Sequence, residues 1–208
     1  NDFENGCSAV NFTPSEDVTG EIEFYFYDAI HQLKGSLVIH EFEFKDVDES
    51  DQKFEAIKYA FLNNITTGYP DGTFKPENSV SRVEAVAFIV RALKFDPILN
   101  PKFDLPDASS NEWYAGILAK AMDEGMVSGY PDGTVRLTNQ VIGAELLKIF
   151  LEAFADVREA KEGEQWYDRF VEYAKDEALV DTNFDPSKPL NREEVVEIIY
   201  KARELINS

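Results

Sequence analysis

A six-residue identity at a fixed offset constrains this chain more than any other feature. Gly68-Tyr69-Pro70-Asp71-Gly72-Thr73 returns as Gly129-Tyr130-Pro131-Asp132-Gly133-Thr134, 61 positions later. The register holds on both sides: Ile57 matches Leu118, Ala60 matches Ala121 and Glu84 matches Glu145. A third, shorter copy follows. Trp166-Tyr167 echoes Trp113-Tyr114, Ala174 falls where Ala121 was, and Asn191-Arg192-Glu193-Glu194 echoes Ser81-Arg82-Val83-Glu84. Its middle loop has lost the hexapeptide and reads Val180-Asp181-Thr182-Asn183-Phe184-Asp185-Pro186. Repeats of this length are the signature of stacked supersecondary units.

Each copy reads helix, loop, helix. Phe54, Ile57, Ala60 and Phe61 have helical spacing, as do Ile117, Leu118, Ala121 and Met122. The first helix is expected to stop at a left-handed residue, Asn64 or Gly125, whereas the third copy has Ala178 there. Tyr-Pro-Asp-Gly carries Pro at the second and Gly at the fourth position of a type I turn. The second helix is expected to start at Ser81 and run through Val86, Phe88, Ile89 and Leu93, with Leu146, Leu147, Phe150 and Val195, Ile198, Ile199 as counterparts. Residues 1–44 differ, holding nine acidic residues against Lys34 alone. Glu21–Tyr27 alternates like a strand and Ser36–Phe44 is a second β-prone stretch, so a β-hairpin or the remnant of an upstream domain is expected. The resulting division is 1–43 as a β-prone segment, then repeats over 44–103, 104–155 and 156–208, the last degenerate.

Composition narrows the function. Forty acidic against twenty basic side chains give a net charge of −20, which disfavours nucleic acid and anionic membranes because both require a cationic face. An anionic polysaccharide stays compatible if a few arginines are gathered in pockets. No apolar run reaches the roughly 20 residues that span a bilayer, so membrane insertion is not expected. Residues 1–20 lack the basic and apolar parts of a signal peptide, so in an exported protein the signal is expected to have been removed already or left out of this sequence. Cys7 is the single cysteine, and His31 and His40 have no partner at metal-ligand spacing, so neither a disulfide, a metal nor a cofactor is expected. Asp181-x-Asn183-x-Asp185 resembles the start of a calcium loop, but Pro186 stands where Gly is needed and Arg192 where the bidentate Glu belongs. No phosphate loop or nucleophile elbow is present, and turn geometry already explains Asp71 and Asp132, so an enzyme is not expected.

Ser81-x-x-Glu84 and Asn191-x-x-Glu194 are capping boxes. Capping does not explain Arg82 and Arg192, cations placed in a first helical turn where the dipole disfavours them. Two readings stand: an anion held beside free helix N–H groups, or a structural pair with a nearby acid. The second copy reads Ile142-Gly143-Ala144-Glu145, without cap or arginine, so its site should be weak or dead. Trp113 and Trp166, read as early in their first helices, suit core packing or a stacking wall for a sugar ring; the first copy has Gln52 there. Asp46 and Asp107 could cap those helices, accept sugar hydroxyls, or do both.

Phe44-x-Asp46, the first helix, Gly-Tyr-Pro-Asp-Gly-Thr-Phe-x-Pro, then Ser-Arg-x-Glu before an apolar helix resembles the S-layer homology family, whose usual last element is Thr-Arg-Ala-Glu. The match is close over residues 68–76 and 81–85, partial in the third copy, and covers about residues 44–205. The resemblance implies a mainly α fold of three repeats in pseudo-threefold arrangement, here after a short β-hairpin-like segment. It implies an extracellular module on the bacterial cell surface whose inter-repeat grooves bind secondary cell-wall polysaccharide, commonly a pyruvylated N-acetylmannosamine unit. Carried over by motif, the arginines are Arg82 and Arg192, the groove aromatics Trp113 and Trp166, the acids Asp46 and Asp107, and the loop glycines Gly68 and Gly129. No single repeat keeps the whole set, so at most two of three grooves should bind. The competing expectation is a structural or self-assembly module, contacting other S-layer subunits, in which glycan binding has decayed.

Overall fold

The computed structural model describes residues 20–27, 32–39, 42 and 44–206. The chain divides into two compact units, residues 1–42 and 43–208. In the first, β1 (Gly20–Tyr27) pairs antiparallel with β2 (Gln32–Ile39), with Glu23 opposite Ser36 and Tyr25 opposite Lys34. The second strand thus begins four residues before the β-prone stretch and ends at Ile39. Ladder pairing with β1 carries weak strand formers such as Lys34 and Gly35, which propensity alone passes over. Cys7, His31 and His40 lie outside the described residues.

The second unit is helical: α1 (Phe54–Leu62), α2 (Arg82–Ala92), α3 (Ala115–Asp123), α4 (Gly143–Leu151), α5 (Asp168–Asp176), α6 (Arg192–Lys201) and the single turn α7 (Arg203–Ile206). None of these helices is long and apolar enough to cross a membrane. The second helix of each copy forms the centre. In α2, Val83, Val86, Phe88, Ile89 and Val90 are all buried, and α4 and α6 bury Leu146, Leu147, Phe150 and Val195, Val196, Ile199. A helix apolar on nearly every side must sit inside others. The first helices bury a narrower stripe, such as Ala56, Ile57 and Ala60 in α1, and pack outside.

Their partners run in a cycle. α3 packs on α2, α5 on α4, and α1 on α6, so each first helix leans on the second helix of the preceding copy and the last copy closes on the first. Tyr59 of α1 meets Tyr200 of α6 edge-on at 5.4 Å between ring centres. At the hub, three backbone hydrogen bonds form a closed triangle. Val80 N–H donates to Leu190 O (3.1 Å), Leu190 N–H to Val141 O (3.0 Å), and Val141 N–H to Val80 O (2.9 Å).

The loops obey the turn chemistry read from their sequence. Gly72 N–H donates to Tyr69 O at 2.9 Å and Gly133 N–H to Tyr130 O at 2.8 Å, each glycine at φ +80. Asp71 and Asp132 accept from the hydroxyl and N–H of Thr73 and Thr134, which, with Lys75 and Arg136, holds both carboxyls down at about 2. Asn64 (φ 56) and Gly125 (φ 74) end their helices in the left-handed region. Ala178 does the same at φ 54, so the third copy keeps the ending and bears roughly 1–2 kcal/mol of Cβ strain.

Candidate functional site in the clefts between repeats

The cyclic packing opens a cleft at each junction. Between repeats 1 and 2, a cleft of about 220 Å³ is lined by Thr66–Tyr69 and α2 from repeat 1, Trp113 from repeat 2 and Arg192 from repeat 3. Between repeats 2 and 3, one of about 260 Å³ takes Ser128–Pro131 and α4 from repeat 2, Trp166 from repeat 3 and Arg82 from repeat 1. The arginine of each therefore comes from the copy that neither neighbour supplies. The third, about 140 Å³, is lined by repeat 3 and Lys53.

The reading of free helix N–H groups beside the arginines is overturned. Arg82 N–H and Val83 N–H donate to Asn139 O and Leu137 O (2.8 and 3.0 Å), and Arg192 N–H and Glu193 N–H to Asn78 O and Pro76 O (2.9 and 3.1 Å). The next donor in each helix is taken by its cap, Glu84 N–H by Ser81 Oγ and Glu194 N–H by Asn191 Oδ1. Ring closure thus uses the donors that an anion would have needed. Any anion chemistry rests with the guanidinium groups themselves.

Those groups differ. Arg192 is 4% exposed and held through two of its three nitrogens: Nε donates to Phe74 O at 2.8 Å and Nη2 to Thr66 Oγ1 at 3.2 Å, while Nη1 lies 3.9 Å from Glu84 Oε1. Its plane is packed by Tyr69, Phe74 and Phe88 at 4.8–5.2 Å. Burial pushes its pKa down, partly offset by Tyr69, Glu84 and Asp46. Arg82 is 7% exposed and pairs with Glu145 at 3.5 Å, yet its Nε is, among the described residues, the one buried side-chain polar atom without a hydrogen-bond partner. The sequence explains part of the difference: Val127 replaces Thr66, removing the Nη2 acceptor, and Val135 and Ile149 replace Phe74 and Phe88, removing the rings, whereas the Nε acceptor of Arg192 is a backbone carbonyl that no substitution removes.

Tyr69 and Tyr130 form a wall between cations. Lys75 lies 4.1 Å over Tyr69, and Arg136 lies 3.9 Å over Tyr130 with Arg82 at 5.5 Å. Tyr130 donates its hydroxyl to Glu145, and burial together with that bond pushes the phenol above its ordinary pKa. These tyrosines, with Glu145 and Lys148, were not singled out by sequence reasoning. Their place inside the repeated hexapeptide, beyond what the turn requires, was the available signal.

Trp113 and Trp166 are 60% and 49% exposed, which removes core packing as their role. Both lie in the turn just before their helices, which start at Ala115 and Asp168, and each meets the following tyrosine edge-on. Asp46 and Asp107 do not cap helices, since α1 and α3 begin seven or more residues later with Lys53 and Tyr114 at their N-caps. Asp46 accepts from Phe74 and Lys75 N–H (2.8 Å each), and Asp107 from Val135 and Arg136 N–H (2.9 and 2.7 Å), tying the start of each repeat to its loop. Gly68, at φ +69, would place a Cβ 2.3 Å from the Phe44 ring, whereas Gly129 has ordinary φ and its nearest neighbour is Thr134 O at 3.4 Å.

The third junction is narrower and has no arginine. Gly143 stands at the arginine position, and the Phe184 ring occupies the space its side chain would need, 2.4 Å from an added Cβ. Ile142 keeps the return half of the box, its N–H donating to Glu145 Oε2 at 3.4 Å, but offers no acceptor. Lys53 spans the junction to Glu193 (3.4 Å) and Glu197 (2.9 Å).

Residues 43–86 match the S-layer homology domain. The chain is 30% identical over 122 residues to cell surface glycoprotein 1 of Acetivibrio thermocellus, covering 53% of this chain and 5% of that protein. It is 33% identical over 106 residues to a cellulosome-anchoring protein of the same organism, covering 49% and 24%. A surface-layer 125 kDa protein of Lysinibacillus sphaericus is 22% identical over 169 residues, 74% of this chain and 14% of that one. The chain thus spans a quarter or less of the length of these relatives.

Proposed function

We propose that this chain, whose residues 43–86 match the S-layer homology domain, is a non-catalytic anchoring module of the bacterial cell surface that holds an anionic, pyruvylated secondary cell-wall polysaccharide in its inter-repeat clefts. One observation carries the reading: two clefts each combine a buried arginine, a tyrosine-bearing loop and an exposed tryptophan drawn from three different repeats. A flat indole at the rim suits the apolar face of a pyranose. A guanidinium below it suits a carboxylate, by charge and by its planar donor fork. Such a site needs the closed ring, so binding is a property of all three copies together. Its acidic surface is compatible with this task because the cations that matter are sheltered inside clefts.

The test is co-sedimentation of the whole chain with purified wall fragments, before and after the secondary polymer is stripped. Sedimentation with intact fragments alone supports the reading, and equal recovery with both, or with neither, removes it. A second reading, self-assembly with other surface-protein subunits, is favoured by the third junction, where Phe184 and Lys53 narrow the cleft and no arginine remains. A mass by light scattering that stays monomeric at high concentration counts against it.

A further inference from the structure

We propose that the clefts are not equivalent and that the Arg82 cleft, between repeats 2 and 3, is the one that reads the anion. This rests on the anchoring reading above and goes further, assigning the ligand's charge to one place. Arg82 Nε is buried and without a partner beside this cleft. A buried, charged donor left unmade costs more than a neutral one, and a carboxylate placed on it satisfies that donor without breaking any bond of the free protein. Lys148 adds a second cation to the same wall, half-exposed and held at 2.5 Å by Glu152. Trp166 forms the opposite rim.

The cleft between repeats 1 and 2 has the same outline but a committed arginine. Arg192 already spends Nε on Phe74 O and Nη2 on Thr66 Oγ1, and three rings surround its plane. Of its three nitrogens only Nη1, 3.9 Å from Glu84 Oε1, makes no hydrogen bond, so a ligand there meets a guanidinium already anchored at its other two. Ala87 stands where Lys148 stands in the other cleft, so the second cation is missing as well. At the third junction the arginine position is Gly143 and the lysine position is Glu197, facing Lys53. The same backbone frame thus yields one cleft with an unpartnered buried donor, one whose arginine is held through two of its three nitrogens, and a narrower one without an arginine.

The chain's two tryptophans make the test direct, because Trp113 and Trp166 each mark one cleft. Synthetic pyruvylated N-acetylmannosamine is titrated into uniformly ¹⁵N-labelled whole chain. The two indole N–H signals are assigned with Trp113→Phe and Trp166→Phe, and stoichiometry is taken by calorimetry. The expected result is one site per chain, a saturating shift of the Trp166 signal, and a Trp113 signal that is static or needs at least ten times more ligand. Arg82→Gln, with its thermal midpoint kept, should weaken the Trp166 response at least tenfold, and N-acetylmannosamine without the pyruvyl group should bind at least tenfold more weakly. Saturation at Trp113 first, at both together, or equal binding of the uncharged sugar overturns the assignment while leaving the anchoring reading in place. No response at either indole overturns the assignment, and wall sedimentation then judges the anchoring reading by itself. Should Arg82→Gln fail to fold, the wild-type indole signals still decide.

Discussion

The clefts on either side of repeat 2 share a hexapeptide, a tryptophan and an arginine, yet their residues serve opposite ends. Around Arg192, threonine and phenylalanine side chains draw the guanidinium into the core, and Gly68 is pressed against Phe44. Around Arg82, valines stand in their place, the guanidinium keeps a free donor, and Gly129 has room. A shared motif therefore does not imply a shared job. What decides is the second layer of residues, which the motif does not contain.

The comparison is sharpest at the glycines. Gly68→Ala must place a Cβ at positive φ and within the Phe44 ring, which should cost about 2–5 kcal/mol. Gly129→Ala meets neither obstacle and should change stability by about 0.5 kcal/mol or less. Urea denaturation of both variants measures the contrast, and equal losses would break it. The arginines come next. Arg192→Ala strands Phe74 O and Thr66 Oγ1 and should cost about 2–4 kcal/mol. Arg82→Ala removes an ion pair and some packing but also an unsatisfied donor, so about 1 kcal/mol is expected in the same assay. At the third junction, Gly143→Ala runs into Phe184, a half-buried ring able to shift, and should cost about 1–3 kcal/mol by thermal melting.

The smallest effect concerns what the two loops share. The carboxyls of Asp71 and Asp132 are depressed from 3.8 to about 2, mainly by the hydroxyls of Thr73 and Thr134. Their contribution is in place above the unfolded value and fades as pH falls from about 4 through about 2. Both side chains are exposed, so the acid loss should be slight. Carboxyl titration by NMR should give two nearly coincident midpoints near 2, and separated midpoints would mean that the loops differ even here.

Much of the frame was legible from residues alone. The 61-residue register located both turns, and the apolar spacing located all three central helices, because each copy repeats the same local chemistry at the same place. The roles of several side chains were not. That Arg82 and Arg192 cross to a junction formed by two other copies depends on ring closure, as does the occupation of the helix N–H groups by Asn139, Leu137, Asn78 and Pro76. Capping logic assumes that a helix end faces solvent, and here it faces the next repeat. Asp46 and Asp107 misled for a related reason: acids shortly before a helix read as caps, while their real partners lie 28 and 29 residues ahead. Gly143 was readable as a lost arginine, but only coordinates show Phe184 lying in the vacated space.

The triangle of Val80, Val141 and Leu190 has a consequence for topology. A cycle of three mutual donations has no first member, and the α1–α6 contact joins the two ends of the helical unit as neighbours. Where the chain is cut is therefore independent of how the ring is held. The segment around Leu99, which is 87% exposed between α2 and α3, is where the helical unit would tolerate a break. In such a circular permutant the order of the copies along the gene would change, while Arg82 would still reach the same cleft.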